Sequence, residues 1–250
     1  MTGQGIVLGI DVGGSGVKGA PVDLAHGRLA EDRVRIETPE PATPEAVAAT
    51  VAEIVSAFDT DGPIGCTFPA VVQQGVVHSA ANVDSSWVRT DAQALFSEVT
   101  GRSVSVVNDA DAAGVAEVTH GAGRGVSGVV VLVTLGTGIG TAVFTDGALV
   151  PNTELGHIIV DGVDAETFAA SRWRKREGLT WEEYGRRVNR YLRRLEQLTW
   201  PDLIIIGGGV SKRHDRFFGE FRTRTEVVPA QLRNEAGIIG AASVAAGRQM

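Results

Sequence analysis

Gly9-Ile10-Asp11-Val12-Gly13-Gly14-Ser15-Gly16-Val17-Lys18 is the stretch on which the reading of this chain turns. The apolar run Ile6–Ile10 and the segment Val17–Ala20 read as two strands, and the glycines between them as the tip of a hairpin. That tip has the parts an anion site needs. Glycines let backbone N–H groups turn towards a phosphate, Lys18 adds a cation, and Asp11 can orient Mg²⁺ directly or through water. A Walker A loop is a different object: its Gly-x-x-x-x-Gly-Lys-Ser/Thr spacing is missing, and these glycines lie between strands instead of ahead of a helix.

The design recurs. Val129–Leu135, the turn Gly136-Thr137-Gly138-Ile139-Gly140 and Thr141–Phe144 make a second glycine-tipped hairpin that also carries a hydroxyl. Gly207-Gly208-Gly209-Val210-Ser211 closes the strand expected over Asp202–Ile206 and opens a short helix, whose N-terminus attracts anions. One glycine turn is ordinary, but three at the carboxyl ends of strands sit where α/β folds place ligands. The two hairpins imply a duplicated β-β-β-α unit, so the expected fold class is α/β with two lobes and a central cleft.

Outward from these turns, a third strand is expected over Arg33–Glu37 and a helix over Pro44–Phe58. Strands follow at Ile64–Thr67 and Val71–Val77, a helix at Ala92–Val99, and a strand at Val104–Val107 that delivers Asn108-Asp109 to its end. A long helix spans Thr180–Leu198, with Trp181, Tyr184, Val188, Tyr191, Leu195 and Leu198 at spacings of three and four as its buried stripe. Asn234–Ala246 reads as a terminal helix.

Composition narrows the function. With 43% hydrophobic residues, 250 residues can build one large domain or two small ones, and a net charge of -7 argues against a general binder of nucleic acid or anionic membranes. Cys66 is the sole cysteine, which excludes an intramolecular disulfide and a Cys-rich zinc site. No apolar run approaches the roughly 20 residues that span a bilayer. Because Met1–Gly5 runs into a strand without a basic leader, a cytoplasmic protein is expected.

Two polar clusters could handle a sugar: Asn108-Asp109, and Glu154-Leu155-Gly156-His157 after the second hairpin. A hydroxyl attacks phosphorus poorly unless a carboxylate takes its proton, and amide, carboxylate and imidazole groups can fix the remaining hydroxyls. Each pair also has a plainer role, as a helix cap or a structural histidine.

In this order the two phosphate loops and the third, adenosine-type loop resemble the actin-like ATPase superfamily, with its ribonuclease H-like βββαβα units. The loop Asp11–Lys18, Asn108-Asp109, Leu135–Gly140, Glu154–His157 and Gly207–Gly209 together resemble the ROK family of sugar kinases. The resemblance implies that Asp109 is the general base on the sugar 6-hydroxyl and that Asn108, Glu154 and His157 are hydroxyl ligands. It assigns Gly13, Gly14, Ser15, Gly16, Lys18, Gly136, Thr137, Gly138, Gly208, Gly209 and Lys212 to phosphate or nucleotide, and Asp11 to Mg²⁺ through water. The implied lobes are residues 1–107 with 238–250, and 108–237, and a homodimer follows from the same resemblance.

Most ROK kinases carry a Cys-rich zinc loop after the Glu-x-Gly-His segment, ending in a further sugar-binding glutamate. Here Ile158–Ala165 leads directly to Glu166, so no zinc is expected and Glu166 takes that glutamate's place. The missing loop, with Thr67-Phe68-Pro69-Ala70, Ala81-Asn82-Val83-Asp84-Ser85-Ser86-Trp87 and Trp200-Pro201-Asp202-Leu203, resembles the polyphosphate glucokinases of actinobacteria. That implies phosphorylation of glucose from inorganic polyphosphate and from ATP, with Asn82 near the sugar and Trp87 either there or in the core. An ATP-only kinase for mannose or an N-acetylhexosamine is the alternative. A sugar-responsive repressor is disfavoured, because only a few residues precede Ile6 and such proteins carry a DNA-binding domain there.

Between Arg172 and Arg194 stand nine basic residues against three acidic ones, Glu177, Glu182 and Glu183. The segment is either a track for polyphosphate or a solvated face in which Glu182 and Glu183 pair with Arg186 and Arg187 four residues on. Lys18, Lys212 and Arg213 adjoin the expected phosphate loops.

Overall fold

The computed structural model describes residues 5–80 and 83–247, and the chain packs as two compact units, Met1–Ala116 with Glu235–Met250, and Glu117–Asn234. Asn82 lies outside the described residues.

In the first unit β1 (Ile6–Gly13) and β2 (Gly16–Asp23) pair antiparallel from Ile6↔Asp23 to Gly13↔Gly16. β3 (Arg28–Leu29) and β4 (Val34–Ile36) both pair with β2. α1 (Pro44–Ser56) starts where Thr43 caps the Ala46 N–H and Pro44 occupies the first turn, and it buries Val47, Val51 and Ile54. β5 (Ile64–Phe68) joins β1 in parallel and is buried at every residue, as a strand covered on both faces must be. After the small hairpin β6 (Val72–Gln73) and β7 (Val76–Val77), α2 (Ala92–Thr100) leads into β8 (Val104–Asn108), parallel to β5. α3 (Asp109–His120) starts directly at the end of β8. Phe68, Trp87 and Phe96 stack in the core, with the Trp87 indole N–H donating to the Ala42 carbonyl at 2.8 Å.

The second unit repeats the hairpin. β9 (Val129–Leu135) and β10 (Ile139–Thr145) pair from Ile139↔Leu135 to Thr145↔Val129, and β11 (Ala148–Val150) adds to β10. A minimal hairpin, β12 (Ile159–Val160) and β13 (Val163–Asp164), precedes the short helices α4 (Glu166–Ala169) and α5 (Ser171–Arg176). α6 (Trp181–Thr199) opens with a capping box, Thr180 and Glu183 exchanging side-chain-to-backbone bonds, and buries Tyr184, Val188, Tyr191, Leu192 and Leu195. β14 (Leu203–Gly207) and β15 (Glu226–Pro229) complete the sheet in the order β11-β10-β9-β14-β15.

α7 (Ala236–Ala245) then returns to the first unit, against β1 and β5. A Cβ at Gly9 or Gly65 would collide with the backbone of α7 at Ile238 or Ala241, so glycine in both strands is what lets the helix lie this close.

Four details depart from the sequence reading. Val71–Val77 is two strands broken by Gln74 and Gly75, both at positive φ. Leu198 is 49% exposed, because the core beneath α6 ends at Leu195, while Leu192 joins the buried stripe. The units divide at Ala116/Glu117 and Asn234/Glu235, which leaves Asn108 and Asp109 in the first. The expected pairs Glu182–Arg186 and Glu183–Arg187 do not form: Glu183 accepts the Thr180 N–H, Arg186 reaches Glu220 at 3.6 Å, and Arg187 reaches Glu177 at 2.5 Å.

Candidate functional site

In the first unit, pairing of Asp11 with Thr67 across β1 and β5 sets the geometry. The Thr67 hydroxyl is fully buried and donates to Asp11 Oδ1 at 2.9 Å while accepting the Val12 N–H at 3.1 Å. Lys18 Nζ lies 3.4 Å from Asp11 Oδ2. The loop tip is held from β4 and the segment after it. Arg35 donates to the Ser15 carbonyl at 2.6 Å, and the Thr38 hydroxyl donates to the Gly13 carbonyl at 2.5 Å. With those carbonyls engaged, the exposed Gly14-Ser15 tip is set to present its N–H groups. A hollow of about 320 Å³ opens beside it, lined by Gly13, Gly14, Thr38, Glu40, Phe68 and Pro69 among others.

At the end of β8, Asn108 is buried and highly engaged. Its Oδ1 accepts the N–H groups of Ala110 and Asp111 at 2.8 and 3.1 Å, and its amide donates to the Ala70 carbonyl at 3.0 Å. Asn108 is therefore the cap of α3, and one amide hydrogen remains for a ligand. Asp109, beside it, is exposed in the first helical turn and accepts the Ala110 N–H at 2.8 Å. Trp87 belongs to the core.

In the second unit, Thr141 on β10 organises the Glu154–His157 segment by donating to the Thr153 carbonyl at 2.5 Å and accepting the Leu155 N–H at 3.1 Å. Gly156 rests on the Ile139 carbonyl so closely that a Cβ would overlap it, which explains the glycine in Glu-Leu-Gly-His. Asp164 bonds His157 Nδ1 at 2.9 Å. That bond raises the pKa of His157 above the ordinary histidine value, and the charges of Asp164, Glu166 and Glu154 add to the effect. Glu154 is pushed up, first by desolvation and then by the charge of Glu166, against the lowering pull of His157. Glu154, His157 and Glu166 therefore share one electrostatic environment.

Glu166 joins that cluster to the second glycine turn. Its Oε2 accepts the Ile139 N–H at 2.9 Å, and its Oε1 receives Arg172 at 3.3 Å. The turn is braced again from α5, where the Ser171 hydroxyl and the Arg172 N–H both donate to the Gly136 carbonyl, at 2.9 and 3.3 Å. Thr137 stands exposed at its tip. At the third turn Gly208 adopts φ +79°, Ser211 Oγ donates to its carbonyl at 2.8 Å, and Gly209, Lys212 and Arg213 are exposed.

A single model of the ROK family matches residues 7–177. The chain belongs to the ROK family. The polyphosphate glucokinase of Mycobacterium tuberculosis (strain CDC 1551 / Oshkosh) is 52% identical to this ROK protein over 236 residues, 94% of this chain and 89% of the relative. An inorganic polyphosphate/ATP-glucomannokinase from Arthrobacter sp. strain KM superposes with a TM-score of 0.92 at 53% identity, over 97% of this chain and 99% of the other. A ROK glucokinase from Streptomyces griseus, solved with glucose and AMPPNP, gives 0.81 at 25% identity over 97% and 100%. The ROK protein accordingly has the actin-like ATPase fold expected from its glycine hairpins.

Sequence reading gave no orienting role to Thr67, Thr38, Arg35, Asp164 or Arg172, which hold the expected residues in place. Thr67 had a visible signal, a hydroxyl within an otherwise apolar strand. Among the described residues no cluster of three or more His, Cys, Asp or Glu could hold a metal, and Cys66 is buried in β5.

Proposed function

We propose that this ROK protein is a glucokinase that transfers the terminal phosphoryl group of inorganic polyphosphate, and of ATP, to the 6-hydroxyl of glucose. The observation that carries the proposal is Glu166, whose carboxylate ties the Glu154–His157 cluster to the N–H of Ile139 in the second glycine turn. Hydroxyl-binding and phosphate-binding chemistry are thereby built as one piece. The relatives act on the same pair of substrate classes.

In this reading Glu154, His157 and Glu166 accept and donate hydrogen bonds to sugar hydroxyls, and Asn108 adds its remaining amide hydrogen. Asp109 takes the 6-hydroxyl proton as the new O–P bond forms. The bridging P–O bond breaks, and its electron pair leaves on the shortened polyphosphate or on ADP. The N–H groups of the glycine turns, with Lys18 and Lys212, hold the phosphates. Asp11 fits a Mg²⁺ ion: a single carboxylate held by Thr67 suits a cation that keeps waters and takes its other ligands from substrate phosphates. When bound, the ion neutralises charge on the phosphoryl oxygens. The protein acts as a cytoplasmic homodimer in this reading.

Pure protein with Mg²⁺ and glucose should form glucose 6-phosphate from polyphosphate and from ATP in separate assays. No product from either donor would end the proposal; product from ATP alone, or with mannose or an N-acetylhexosamine preferred, would select the alternative. Asp109→Asn should lower turnover about 10²–10⁴-fold while glucose still binds, whereas turnover within about threefold would remove Asp109 from the base role.

A further inference from the structure

A groove of about 450 Å³ runs along α6, away from the glycine turns in sequence and not used in the chemistry above. Its α6 wall carries Asn189, Arg190, Arg193, Arg194 and Gln197, and its other wall is the β12–β13 hairpin at Ile159, Val160 and Asp161. The geometry points to a second phosphate-chain site in this groove, a distal subsite for the tail of a long polyphosphate. The inference rests on the donor reading above.

Every lining residue on the α6 wall carries a side-chain hydrogen-bond donor. Asn189 gives its carbonyl oxygen to the Arg222 N–H at 2.8 Å, so its amide hydrogens remain to be accepted. Arg190 is preset: its guanidinium lies 5.0 Å from the centroid of the Phe168 ring and donates through Nε and Nη2 to Asp161 Oδ2 at 3.2 and 2.6 Å. Arg193 and Arg194 have no carboxylate partner among the described residues. Guanidinium forks match phosphate oxygens.

Length separates a chain from a single phosphate. Residues 190, 193, 194 and 197 follow one flank of the helix over about 10 Å of rise, more than one phosphate can occupy. The carboxylate of Asp161 is the one acidic group in the lining, and it stands where an anion would sit. Both partners in the Arg190–Asp161 pair are exposed and such a pair contributes little, so a multiply charged chain can replace it. The groove is also anchored to the candidate sugar cluster. Asp161 stands at the turn of a hairpin with two residues in each strand, whose base is Asp164, the partner of His157. A long chain could engage both places, whereas a short one, or ATP, could engage only the first.

The test compares Arg193→Gln/Arg194→Gln and Asp161→Asn with the wild type, using long-chain polyphosphate, tripolyphosphate and ATP. Asp161 has φ +52°, a conformation asparagine accepts, so its replacement preserves the turn. The double variant should raise the KM for long polyphosphate at least fivefold, reduce the slope of log KM against log salt by about 1, and leave tripolyphosphate and ATP within twofold. Asp161→Asn should lower the long-chain KM by about twofold to threefold. An unchanged long-chain KM in the double variant, or an equal rise for ATP, would overturn the subsite; thermal unfolding of each variant identifies a general folding defect. If the wild type does not turn over polyphosphate, the donor reading fails separately, and direct binding of long-chain polyphosphate to both proteins decides the groove: equal binding overturns it, and weaker binding by the double variant supports it. Displacement of the chain by duplex DNA at equal phosphate concentration would show a general polyanion surface and would likewise overturn it.

Discussion

The two glycine-tipped hairpins share a backbone plan and differ in what holds them. β1–β2 is braced from its own sheet and the segment just after β4: Thr67 orients Asp11, and Arg35 and Thr38 take the carbonyls of Ser15 and Gly13. β9–β10 is braced from segments that follow it, with Glu166 on the Ile139 N–H and Ser171 and Arg172 on the Gly136 carbonyl. The first turn is thus fixed by the strand ladder that makes it. The second depends on a carboxylate that also belongs to the Glu154–His157 environment. Anything that occupies or neutralises Glu166 therefore acts on the second turn and on the Glu154–His157 environment together.

Glu166→Gln tests that difference most severely. It exchanges the acceptor of the Ile139 N–H for a neutral amide and releases Arg172, so turnover should fall about 100-fold while the KM for glucose rises with it. A loss of turnover at constant glucose KM would mean that turn and sugar cluster are independent. Thr67→Val should be milder. It removes a hydrogen bond to the Asp11 carboxylate, worth about 1.5–3 kcal/mol, and takes the acceptor from the Val12 N–H, so turnover should drop about tenfold or more with either donor while the glucose KM stays within twofold. If Thr67→Val raised the glucose KM as much as Glu166→Gln, the contrast between the hairpins would be lost.

The smallest effect concerns Asp164. Because its hydrogen bond raises the pKa of His157, the imidazolium favours the folded state. That contribution is complete below about pH 6.5, the ordinary histidine value, and is lost as pH rises through the folded-state value. Both groups are substantially exposed, so it should stay within about 1 kcal/mol. Asp164→Asn should lower the His157 pKa in an NMR titration and flatten the dependence of stability on pH near neutrality. An unmoved titration would detach His157 from the hairpin.

Much of this arrangement was legible because it is written in strong local codes. The glycine turns between apolar strands, the Pro44 start of α1 and the spacing of Tyr184, Val188, Tyr191 and Leu195 all found their places. β12, β13, α4 and α5 escaped because segments of two to six residues hold no full period to detect. The ion pairs that one reading of α6 offered do not form, for a physical reason. Glu183 is closer to the unsatisfied N–H groups of the helix start than to Arg187, and the capping box claims it. Asn108 illustrates a subtler limit: the plainer role, a helix cap, is realised, and it is the cap that sets Asp109 in the exposed first turn.

The return of α7 to β1 and β5 fixes an order of assembly as well as a packing arrangement. A ribosome releases residues from the N-terminus, so β1, β2 and β5 are synthesised long before the helix that covers them. The second unit is one uninterrupted stretch, Glu117–Asn234, and every residue it needs has been synthesised before Ala236 is added. The unit begun first is therefore completed last, because the close seating of Gly9 and Gly65 against α7 waits for a helix that follows the whole second unit in sequence.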